Sequence, residues 1–156
     1  MVVGLIINKP ARVPLSEIFP GEAALKDRTE TAYFGGPVEP RSPGVIFRST
    51  KAAKQAIRLF GDVYVSFDRD FVKGLLEKPE PGQDLRLFLG RAQWAPGKLQ
   101  GEMVGGAWSN LRAEGSLIFN ADQTFLWRTL SERAQPIPQA KLAERPFLQS
   151  RFLQAN

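Results

Sequence analysis

No apolar run in this chain travels far before a turn closes it, and that spacing limits the fold more than any other feature. Val2-Val3-Gly4-Leu5-Ile6-Ile7 is β-rich and ends at Asn8-Lys9-Pro10. Being apolar on both faces, it reads as a buried strand. Pro14–Phe19, stopped by Pro20-Gly21, has room for one helical turn. Ala32-Tyr33-Phe34 reads as a short strand broken by Gly35-Gly36-Pro37, and Gly44–Arg48 as another. Asp62–Phe67 alternates as a strand does. Asp68 stands where an N-cap would, ahead of a helix from Arg69 to about Lys78 with Phe71, Val72, Leu75 and Leu76 on one face.

Asp84–Gly90 repeats the half-buried strand pattern. Pro96 suits the first position of a helix carrying Leu99 and Met103 one turn apart, which Gly105-Gly106 ends before a strand near Ala107–Arg112. A last helix is expected from about Ala121 to Glu132, capped by Asn120 or Asp122. After Gln135-Pro136-Ile137-Pro138 the periodicity is lost. Strands and helices mix without a βαβ rhythm, and several neighbouring strands are separated by turns alone. The expected class is therefore α+β with a largely antiparallel sheet.

Composition narrows the chemistry. At 156 residues the chain is long enough for one domain, and 43% hydrophobic with 24% charged residues is an ordinary globular balance. Such a chain buries a core without a disulfide or a structural metal. It contains neither Cys nor His. That excludes thiolate nucleophiles, Fe–S clusters, Cys-based zinc sites, His-ligated metals and the Ser-His-Asp and Cys-His arrangements. No cofactor is expected. Lys and Arg exceed Asp and Glu by 21 to 16, a mild net charge of +5 that favours anionic partners without making a nucleic-acid binder. No apolar stretch is long enough to span a bilayer, no signal-peptide pattern opens the chain, and the cytoplasm is the expected compartment.

Three segments carry a resemblance. Gly4-Leu5-Ile6-Ile7-Asn8-Lys9-Pro10 is similar to the pattern Gly-Leu-Val-Ile-Asn-Arg-Pro, and Phe34-Gly35-Gly36-Pro37-Val38 to Phe-Gly-Gly-Pro-Val. Gly90–Glu102, with Trp94-Ala95-Pro96-Gly97-Lys98-Leu99 inside it, resembles Gly-Tyr-Ala-Gly-Trp-x-Pro-Gly-Gln-Leu-Glu-x-Glu, and is followed by Trp108 and Leu117-Ile118-Phe119. The chain resembles the AlgH/YqgE family of bacterial proteins from Gly4 to about Leu130. The resemblance implies a single intracellular α+β domain over residues 1–135, its antiparallel sheet barrel-like and flanked by helices, with a tail over 136–156. It implies no established enzymatic activity. The family's usual label, transcriptional regulator, reflects a genetic association rather than a DNA contact.

Lys9, Arg91, Gln93, Lys98 and Gln100 depart from the family pattern. Family members usually carry a longer leader with a Glu-His pair ahead of the first motif, whereas here that motif begins at Gly4, three residues after Met1. An exposed apolar edge along Val2–Ile7 is the consequence expected, covered either by dimerisation or by the segment around Phe147–Phe152.

Each candidate site has a structural alternative. Asn8 and Lys9 could hold a small anion or merely end a strand. Gly35 and Gly36 could turn backbone N–H groups toward an anion or make a tight turn. Trp94 could stack on a flat ligand beside a helix start at Gly97, with Glu102 in reach, or simply pack over that helix. Arg48, Lys51, Lys54 and Arg58 would form a phosphate-binding stripe if Thr50–Leu59 is helical, or a solvated face. The reading is a regulatory or binding protein. A ligand site where the three motifs meet, and weak non-specific nucleic-acid binding, are the alternatives.

Overall fold

The computed structural model describes residues 1–134 except 27, 29 and 121. Its strands are Val2–Gly4 (β1), Pro10–Ala11 (β2), Ala32–Phe34 (β3), Val38–Arg48 (β4), Ile57–Phe60 (β5), Val63–Ser66 (β6) and Leu85–Trp94 (β7). Its α-helices are Leu15–Ile18 (α1), Arg69–Glu77 (α2), Lys98–Val104 (α3), Gly115–Phe119 (α4) and Gln123–Arg133 (α5). The strands form one sheet in the order β2-β3-β7-β4-β6-β5, with β1 also on β7. Every pairing is antiparallel except β3 with β7. The class is α+β, as expected. The sheet stays open, with β2 and β5 at its two ends, so the barrel-like description is too strong.

Side chains alternate across the pleat, so the central strands feed two cores. Val45, Phe47, Leu87 and Leu89 face a larger core with Leu15, Phe19, Leu25, Val72 and Leu76, which α1 and α2 cover. Ile46, Val63, Val65 and Phe88 face a smaller one with Ile118 of α4, closed by Leu5, Ile7, Tyr33, Phe67 and Phe119. The alternation expected for Asp62–Phe67 and Asp84–Gly90 therefore gives way to burial on both faces, at Val63–Ser66 and again at Leu87–Gly90.

Several expectations are corrected. Val2–Ile7 is not one buried strand: β1 stops at Gly4, is only half-buried, and Ile6 remains 36% exposed. Thr50–Leu59 is not a helix, because Phe60-Gly61-Asp62-Val63 closes a hairpin that takes Ile57–Phe60 into the sheet. Gly61 has φ +50 at the first turn position, the chemistry of a two-residue hairpin. Ala107–Arg112 forms no strand; the segment is exposed and makes no more than an isolated bridge at Asn110. Pro96 precedes α3 instead of opening it, since Gly97 at φ +77 is the residue before the first helical turn. α2 matches its reading, with the Asp68 carboxylate accepting the Phe71 N–H at 2.8 Å. In α5 Asp122 caps in the same way, through Thr124 N–H. Residues 136–156, including Phe147–Phe152, lie outside the described residues. Among the described residues no helix is long and apolar enough to cross a membrane.

Candidate functional site

Leu87 and Leu89 of β7 pair with β3 on one side and with β4 on the other, so β3 and β4 flank β7 on opposite edges. Gly35-Gly36-Pro37 must therefore carry the chain across β7 in three residues. The crossing leaves no room for side chains. A Cβ on Gly36 would lie 2.2 Å from the Arg91 carbonyl carbon, and one on Gly35 or Gly90 would lie 2.3 Å from a backbone oxygen of the other segment. Gly36 has φ +154 and Gly90 φ +69. Gly35 N–H is donated to Leu89 C=O at 2.8 Å, and Gly35 C=O accepts from Ile6 N–H at 2.9 Å. Those backbone groups are used internally.

Asn8 and Lys9 lie beside this crossing. Lys9 C=O accepts from Phe34 N–H at 2.7 Å, and Lys9 Nζ sits 4.6 Å from the centroid of the Phe34 ring. Just beyond, Arg91 holds Glu39 in a two-pronged ion pair at 2.8 and 2.9 Å. Among the described residues Glu39 is the non-glycine residue at positive φ, +48, and Arg91 holds its carboxyl below the ordinary carboxylate range. Neither residue was singled out from sequence as a pair, because they lie 52 positions apart.

The third motif builds something more open. β1 lies against the end of β7, where Val2 pairs with Trp94, and the Trp94 ring covers Gly4 so closely that a Cβ there would sit 3.0 Å away. Trp94 Nε1–H is donated to Glu102 Oε2 at 3.2 Å, and Trp108 Nε1–H to the same oxygen at 2.8 Å. The two indoles meet edge to face, with centroids 5.8 Å apart and planes at 79°. The Gly105-Gly106 turn, with Gly106 at φ +77, brings Trp108 back over Glu102. Sequence reasoning named Trp94 and Glu102 but not Trp108 as their partner; the Gly105-Gly106 pair, which starts eight residues after Gly97, was the available signal.

Lys98 and Glu102 stand at i and i+4 on α3, a spacing at which opposite charges usually pair. Here the indoles hold the carboxylate, and no Lys98–Glu102 ion pair forms among the described residues. Both residues line an open depression of about 400 Å³ with Pro96, Gly97 and Gly101. A Cβ on Gly97 or Gly101 would meet nothing within 4 Å. The start of α3 is less available, since Lys98 N–H is donated to Ala95 C=O.

The basic residues do not form a stripe. Arg48 donates to Asp84 at 3.0 Å and to both oxygens of Asp62 at 2.7 and 3.0 Å, which holds the Asp62 carboxyl low. Its guanidinium also lies on the Phe119 ring at 5.3 Å. Arg58 donates to Gly61 C=O, and Lys51 and Lys54 lie exposed in the loop before β5. Arg48 is thus a docking residue for α4.

Segments of all three motifs meet along β7, but their candidate residues separate. Gly35 and Gly36 belong to the crossing, Asn8 and Lys9 lie beside it, and Trp94, Gly97 and Glu102 gather around the depression. Compared with known proteins, residues 1–139 match the family described as AlgH-like. A UPF0301 protein of Anaeromyxobacter sp. (strain K) is 30% identical over 141 residues, covering 84% of this chain and 71% of its own. One from Myxococcus xanthus is 32% identical over 130 residues, 81% and 70% of the two chains. The solution structure of AlgH from Pseudomonas aeruginosa superposes with a TM-score of 0.69 over 93% of this chain and 78% of that one, at 22% identity. A crystal structure from Corynebacterium diphtheriae gives 0.60 over 92% and 75%, at 23% identity. At such identities the structural likeness is one of fold.

Proposed function

The chain belongs to the AlgH-like family, and on that footing we propose that it is a binding protein rather than a catalyst, its ligand a small molecule with a cationic or N–H-rich group received by Glu102 in the depression on α3. One observation carries the reading: two indole N–H groups orient the Glu102 carboxylate and keep it from Lys98. A carboxylate oriented in advance accepts a donor without first reorganising, which is the main saving available to a small site. Lys98 lines the same depression.

Gly101 supports this. Glycine inside a helix costs about 1 kcal/mol relative to alanine. Packing does not demand it at Gly101, where a Cβ would be free of contacts. Gly101 lines the depression, and a glycine there leaves that space open to a ligand. On this reading a regulatory role follows from occupancy: α3 has no buried residue and presents itself with its ligand to a partner.

Fluorescence tests the proposal directly. The chain has three Trp, and Trp127 is 73% exposed, so Trp127→Phe leaves the clamp pair as the reporters. Titration with lysine, choline and spermidine is expected to change the emission saturably for at least one probe, and Glu102→Gln to abolish the change. Flat titrations throughout, or responses that Glu102→Gln leaves intact, overturn the reading.

A further inference from the structure

Three of the four arginines on the two central strands are half-buried, and they differ in what they hold. Arg48 of β4 is occupied by Asp62 and Asp84, and Arg91 of β7 by Glu39. Arg86 of β7 has no carboxylate within 4 Å among the described residues. It is half-buried, on the smaller-core face of the sheet. Its guanidinium lies 4.5 Å from the centroid of the Tyr33 ring. Nη1 approaches Ile7 C=O at 3.4 Å and Nη2 approaches Phe119 C=O at 3.5 Å.

Those two approaches are longer than ordinary N–H···O bonds, which run from about 2.7 to 3.2 Å. A guanidinium has five N–H donors in a rigid fork, and arginines removed from water are normally paired. The nearest acid in sequence, Asp84, is already held by Arg48. Burial lowers the Arg86 pKa from its ordinary value, opposed by the Tyr33 phenol, so the charge is held at a cost. Arg69 offers the contrast. It also lies on an aromatic ring, that of Phe19, and donates to Ile18 C=O, but it is exposed, so its remaining donors are open to solvent.

We infer that Arg86 is the receiving group of a second site, which takes a small oxyanion, carboxylate or phosphate, in the fork of its guanidinium. Ile7, Tyr33 and Phe119 set the plane of that fork, and the Tyr33 ring covers one face, leaving the edge donors for a planar acceptor. The site excludes Lys9. Successive residues of β3 point to opposite faces, and Lys9 sits over Phe34 while Arg86 sits over Tyr33. It is also independent of Glu102 and α3.

The test follows the arginine Nε–H resonances of the ¹⁵N-labelled full chain by NMR. Sodium phosphate and sodium acetate are titrated separately at an ionic strength fixed with chloride. A saturable shift at Arg86, with Arg48 and Arg91 moving little because their forks are occupied, is the expected result. The arm that saturates at lower concentration identifies phosphate or carboxylate as the group received. Arg86→Lys keeps the charge but loses the fork, and its affinity, read from backbone amides near Tyr33, should fall about tenfold. Equal, non-saturating shifts at all three arginines overturn the inference, as does undiminished affinity in Arg86→Lys. If Arg86→Lys does not fold, the titration of the unmodified chain decides alone.

Discussion

The crossing over β7 and the depression on α3 are both built from glycine-bearing motif segments, yet they are opposites. At the crossing, Gly35, Gly36 and Gly90 stand where a methyl group would lie within 2.3 Å of backbone. On α3, Gly97 and Gly101 have nothing within 4 Å. Around the crossing the backbone hydrogen bonds run between chain segments. On α3 no residue is buried, and a carboxylate shared by two indoles ties the helix to the rest of the fold. A seven-residue helix with no buried side chain is marginal by itself. The contrast teaches that a motif glycine is structural or functional according to what stands opposite it, which the motif does not reveal.

The sharpest way to break the comparison is Gly36→Ala. The new Cβ would meet the backbone of β7, which cannot yield without unpairing the sheet. A loss of roughly 3 kcal/mol or more is expected, outside the ordinary range of surface substitutions. Denaturant melts check it, and a chain as stable as the parent would show that the crossing is not tight.

Gly101→Ala should act the other way, raising stability by about 0.5–1 kcal/mol because alanine is the better helix residue. Gly74 in α2 is the control, since it is equally free of contacts and does not line the depression. Both variants should melt higher, and only Gly101→Ala should weaken the fluorescence response to cationic probes. Equal binding by the two would remove the functional reading of Gly101.

Trp108→Phe removes one donor from Glu102 while keeping an aromatic ring. Trp108 is 44% exposed, so global stability should change by less than about 0.5 kcal/mol. Hydrogen exchange should nonetheless quicken in the α3 amides and stay unchanged around Gly35, because only α3 depends on the clamp. Uniform exchange across both regions would count against that dependence.

The smallest effect concerns Glu39. Arg91 lowers its carboxyl pKa in the folded chain, so the pair's contribution is fully present above the ordinary glutamate value and fades as pH falls through the lower folded value. Arg91→Gln should raise the Glu39 midpoint in an NMR titration and leave stability at pH 7 nearly unchanged, since the carboxylate is exposed to water. An unmoved midpoint would mean that Arg91 is not its partner in solution.

The features legible along the chain are those that short spacings control. Asp68 and Asp122 cap their helices because the amide each serves lies two or three residues away. Ala32–Phe34 is a strand within the limits its glycine stop set, and the mixture of turn-linked strands with isolated helices made the α+β class legible. The Gly61-Asp62 hairpin was equally local, but the charge spacing of Lys51, Lys54 and Arg58 suggested a helix, and strand pairing with Val63–Val65 prevailed. Of the candidate site, Trp94, Gly97 and Glu102 were legible as neighbours within one motif. Packing alone settled that Gly36 has no room, that Arg48 is consumed by Asp62 and Asp84, and that Arg86 has no acid beside it among the described residues. The physical reason is separation. Gly36 and the β7 backbone it crosses lie more than fifty positions apart, as do Arg91 and Glu39, and no local pattern carries a clash, a pairing or a missing partner whose other half is supplied by the packing of the sheet.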